Sequence, residues 1–114
     1  MDIINIIFAV LSIGLGFFGW LAPRYTLEAL DLKMGETTMG MSEVRASAGA
    51  LFVGMGVGAL LLGTNDAYMM LGFCWCGAAT GRLTSLLMDG AFRKKWVYFI
   101  IEAAVGIPAV LLNL

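Results

Sequence analysis

Apolar residues fall in four long runs, at 3–22, 44–63, 67–88 and 96–112, and most of the charges lie between them. A membrane-spanning helix needs about twenty mostly apolar residues, and a barrel strand about ten in strict alternation. The runs have the first length and do not alternate. The pattern predicts an all-α integral membrane protein: a four-transmembrane-helix bundle that forms a single domain over 1–114. The connections are a charged stretch at 23–43, a Thr-Asn-Asp turn at 64–66 and a basic DGAFRKK loop at 89–95. Thr64, Asn65 and Asp66 are N-cap residue types for the third span, and the turn is short enough to demand an antiparallel hairpin. In the first connection, PRYTLEALDLKMGE sets Tyr25, Leu27, Leu30 and Leu32 among Arg24, Glu28, Asp31 and Lys33. Pro23 suits the first helical position. This pattern predicts a short interfacial amphipathic helix, with an ordinary structured loop as the alternative.

Composition sharpens the class. Of 114 residues, 61% are hydrophobic and 13% charged, and mean hydropathy is +0.91, outside soluble usage. A net charge of −1 gives no general attraction to nucleic acid, so the expected partners are the lipid bilayer and other membrane subunits, or a second copy of the chain. The first run carries Asp2 where a signal peptide carries positive charge, and it reads as a retained span. There is no histidine, and Lys33, Lys94 and Lys95 all lie outside the apolar runs. No cofactor, metal site or catalytic residue is therefore expected from this chain alone. Cys74 and Cys76, two residues apart, point to different helix faces and read as buried free thiols.

Charge placement gives an orientation. The seven basic residues, Arg24, Lys33, Arg45, Arg82, Arg93, Lys94 and Lys95, all lie on or toward the side of the first and third connections. The positive-inside rule makes that side cytoplasmic and both termini external. Trp20, Tyr25, Trp96 and Tyr98 then fall at the cytoplasmic boundary and Tyr68 at the opposite one, as an interfacial aromatic belt.

Three charges enter the runs. At the helical rise, Arg45 lies about 5 Å, Arg82 about 10 Å and Glu102 about 9 Å inside the same boundary. Glu43 and Asp89 flank them. Charges at such depth are costly unless paired, so an interhelical ionic layer is expected, with Glu102 pairing with Arg82 or Arg45 and Glu43 with the other arginine. Such a layer admits two roles: a device that fixes helix order and register, or a binding or proton-handling site open to the cytoplasm. Small residues recur at helical spacing: Ala46, Ala50, Gly54 and Gly58 on one stripe of the second span, Gly49, Gly56 and Gly63 on another, and Gly77 and Gly81 on the third. Such stripes allow close backbone approach, and two of them on one helix predict a central position for it. Pro108 predicts a kink near Ala104.

The segments GMSEVRASAGALFVGMG (40–56) and GRLTSLLMDG (81–90), with an acid on the fourth span, resemble a bacterial family of small four-span inner-membrane proteins whose function is unknown. The resemblance covers nearly the whole chain and implies fold and location, not activity. It gives weight to Glu43, Arg45, Gly81, Arg82, Asp89 and Gly90. Two functions fit: a non-enzymatic accessory or assembly subunit of a larger membrane complex, or a small oligomeric transporter or channel working through Glu102, Arg45 and Arg82.

Overall fold

The computed structural model describes residues 3–114; Met1 and Asp2, the first positions of the expected domain, lie outside them. Among the described residues every regular element is helical: α1 (Ile3–Leu21), α2 (Pro23–Ala29), α3 (Met39–Leu62), α4 (Asn65–Met88) and α5 (Arg93–Leu111). α1 and α3, 19 and 24 residues long, are long and apolar enough to cross a membrane. The chain divides into two compact units, one ending at Leu61 and one over Leu62–Leu114.

In the first unit, α1 buries Asn5, Ala9, Ser12, Gly16 and Gly19. Their alternating spacing of four and three is the seam of a left-handed helix pair, built from small residues in place of leucines. The facing seam on α3 runs through Gly49, Gly56 and Ala59. A Cβ added at Gly16 would stand 2.6 Å from the Gly49 carbonyl oxygen, and one at Gly56 would stand 2.5 Å from that of Ala9. Added at Gly19 or Gly49, it would collide with Ala48 O or Trp20 N. Only hydrogen fits between these backbones. The other stripe differs from expectation, because a Cβ at Gly54 or Gly58 meets open space. At about 100° per residue, both lie well around the helix from the Gly49–Gly56 line.

α3 also begins earlier than the hydrophobic run, at Met39 and not at 44. The Thr37 hydroxyl accepts from the Met39 N–H (3.2 Å) and opens the helix upstream of its charges. Glu43 and Arg45 therefore sit inside a formed helix, just before a π-helical turn at Ala46–Ala50.

The first connection holds the expected short helix, with Pro23 in its first turn. Pro23, Thr26 and Leu27 are buried, while Arg24, Tyr25 and Glu28 face out. It ends in a Schellman motif: the Leu32 N–H donates to Leu27 O (2.8 Å) and the Asp31 N–H to Glu28 O (3.1 Å). Asp31 takes the left-handed conformation usual for glycine, at φ 57°.

In the second unit, α4 is capped by Thr64, whose hydroxyl accepts from the Ala67 N–H (3.2 Å). α4 buries Tyr68, Gly72, Trp75, Ala79 and Leu86, and α5 buries Glu102, Val105, Gly106 and Ala109. The four-residue connection 89–92 makes the two antiparallel. Gly90 turns the chain at φ 97°, and its carbonyl accepts from Lys95 Nζ (2.7 Å). The close approach occurs where a Cβ at Gly72 would meet Val110 N (2.8 Å) and one at Gly106 would meet Cys76 N (2.7 Å). Gly77 and Gly81, expected at a contact, have open space instead. Tyr68 faces inward: it is 1% exposed, on the buried line of α4. α5 runs through Pro108 unbroken.

Candidate functional site

The second unit brings two of the expected charges together. On α4 the positions 68, 72, 75, 79, 82 and 86 share the spacing of four and three, so Arg82 belongs to the buried line of that helix. On α5 Glu102 starts the corresponding line that continues through Val105 and Ala109. Arg82 Nε donates to Glu102 Oε1 and Nη2 to Oε2, each at 3.1 Å. This two-pronged geometry fixes distance and orientation at once, and it suits the planar guanidinium better than it would an ammonium. The side chains are 33% and 12% exposed, so the carboxylate is enclosed and the guanidinium reaches the surface.

Tyr98 completes this site, and it was read from sequence only as a boundary aromatic. It lies four residues before Glu102 on the same face of α5, with Lys94 four residues earlier again. The Arg82 Cζ stands 5.4 Å from the Tyr98 ring centroid and Lys94 Nζ 6.0 Å from it. The ring face attracts both cations. Arg82 is thus held by charge on one side and by an aromatic face on the other. The i, i+4, i+8 spacing of Lys94, Tyr98 and Glu102 was the available signal.

The remaining expected members are placed otherwise. Arg45 donates from Nη1 to the carbonyl of Trp20 (2.8 Å), near the C-terminal end of α1. A cation there satisfies an orphan carbonyl and complements the helix dipole. Glu43, expected to pair with an arginine, instead accepts from the Ser47 hydroxyl (3.3 Å). Residues two apart on a helix point about 200° apart, so Glu43 and Arg45 do not face each other. Asp89 ends α4, its N–H donating to Ser85 O (2.8 Å). Cys74 and Cys76 are free, and Cys74 is exposed where burial was expected. Among the described residues no group of three or more metal-ligating side chains converges.

Among the described residues, an all-helical fold with two membrane-capable helices and an ion pair whose carboxylate is enclosed is the class that these observations define. The chain belongs to the family described as domain of unknown function DUF4345, whose model matches residues 1–113. No curated protein and no solved structure matches it.

Proposed function

We propose that this chain is a multi-pass integral membrane protein without catalytic activity, acting as an accessory or assembly subunit that packs against other proteins. In this reading α1, α3, α4 and α5 are four spans of a bacterial inner-membrane bundle, with both termini periplasmic. The observation that carries it is the Arg82–Glu102 pair. The enclosed carboxylate and the half-buried guanidinium neutralise each other through both oxygens and two nitrogens, which is how a packing device looks. Large apolar side chains are correspondingly left outside, among them Phe18 (53%), Leu61 (82%) and Leu87 (78%), and such surfaces suit lipid or a partner.

Gentle detergent extraction followed by mass spectrometry of the intact assembly tests this reading. A complex containing other protein subunits is the expected result, and a homo-oligomer alone overturns the accessory role. One observation favours a second reading, a small oligomeric transporter or channel: the guanidinium of the pair is partly exposed, so the site is reachable. In that case Glu102→Gln leaves the assembly intact and abolishes pH-dependent flux in vesicles.

A further inference from the structure

A cleft of about 470 Å³ in the first unit is lined by Trp20, Thr38, Ser42, Arg45 and Ala50. Thr38, Ser42 and Arg45 are spaced four and three apart, so two hydroxyls and a guanidinium share one face at the start of α3. Thr38 stands at the N-cap position without making a side-chain cap bond, which leaves its hydroxyl for the cleft. Arg45 is the one charged residue in this lining, and its bond to Trp20 O commits one of five N–H donors while holding the side chain in place. Glu43, the nearest acid in sequence, lines a different groove together with Leu27 and Lys33. The cleft thus presents one net positive charge, a planar donor fork and two hydroxyl donors, with no carboxylate among its lining residues. This combination suits a tetrahedral oxyanion with one negative charge.

We infer that this cleft binds a phosphate ester, the Arg45 fork taking two phosphate oxygens and Thr38 and Ser42 donating to the others. Two sources carry that group: the headgroup of an anionic glycerophospholipid, or a soluble glycerol phosphate. The lipid source rests on the membrane reading proposed above. Trp20 and Phe17, stacked at 5.7 Å and both about two-fifths exposed, continue the lining along α1 as an apolar track of the kind acyl chains follow.

The test uses the full chain purified in neutral detergent, with binding followed by mass spectrometry of the intact protein. The probes are phosphatidylglycerol, diacylglycerol and sn-glycerol 3-phosphate. Phosphatidylglycerol should be retained and diacylglycerol, which has tails but no phosphate, should not. The Thr38→Val/Ser42→Ala double variant keeps the Arg45–Trp20 bond and should weaken retention about tenfold or more, as lost bonds to a charged group do. Arg45→Lys keeps the charge, removes the fork and should weaken it likewise. Lys33→Gln, in the other groove, should not. Binding of sn-glycerol 3-phosphate with the same variant pattern supports the cleft and assigns the soluble source, and this arm stands even if the chain proves not to be membrane-embedded. Equal retention by the native chain and the double variant, or equal retention of phosphatidylglycerol and diacylglycerol, overturns the inference.

Discussion

Arg82 and Glu102 sit where the seams of two helices would normally carry leucine or alanine. Glu102→Gln leaves the arginine facing a neutral amide, and the expected cost is about 2 kcal/mol, less than for a fully buried pair because the guanidinium is partly exposed. Thermal unfolding in detergent measures it. Arg82→Gln in the same chain should recover part of the loss, and strict additivity of the two changes would mean that the pair contributes no coupling. Asp31 offers a separate check, because its left-handed backbone closes the Schellman motif after α2. Asp31→Gly should hold or raise stability, and Asp31→Val should lower it by about 1 kcal/mol, since a branched side chain crowds that conformation. Depth pointed Glu102 to an arginine, because few partners exist for a carboxylate among apolar residues, but it left Arg82 and Arg45 as equal choices and gave Glu43 a partner that it does not have. The pair's aromatic third member was not legible, because Tyr98 fits a boundary position equally well by sequence and only the i+4 relation to Glu102 distinguishes the two.

Helix existence was written in the length of the apolar runs, whereas the contact faces were not. On α1 and α3 many of the large apolar residues point outward, and the buried positions from Asn5 to Gly19 and from Gly49 to Ala59 are glycine, alanine, serine and asparagine. Hydrophobic periodicity therefore says little about which side is inside, and every stripe of small residues competes for the role. The stripe spaced by seven, Gly49 and Gly56, meets α1, while the one spaced by four, Gly54 and Gly58, does not. The two stripes make opposite predictions. Gly56→Leu should destabilise the first unit by several kcal/mol, because the new side chain meets the Ala9 carbonyl and Ile13, and Gly54→Leu should be nearly neutral. A comparison of Gly106→Leu with Gly77→Leu in the second unit should repeat the contrast. Equal melting shifts within either pair would show that the tight contacts do not set stability.

For the molecule as a whole, the uneven distribution of basic residues is the main guide to topology. Reporter fusions after Asn65 and after Lys95 should report opposite sides of the membrane, with Asn65 outside, and a cytoplasmic signal at Asn65 reverses the proposed orientation. One local feature also bears on how a chain of this kind can change its length. In an unbroken α-helix the Gly49–Gly56 seam would extend back through Arg45 and Ser42, yet Val44 is the buried residue and Arg45 the exposed one. The wide turn at Ala46–Ala50 supplies the difference, since it holds one residue more than an α-helical turn would. Removal of Ala46 would restore the ordinary winding and set Val44 four residues before Gly49, so everything upstream would keep the face it has now. Tightening the turn with every residue kept would instead bring Arg45 under α1 and move Val44 out to the edge. At this point a one-codon deletion is therefore a milder event than elsewhere in the helix, where the loss of one residue turns everything upstream by about 100°.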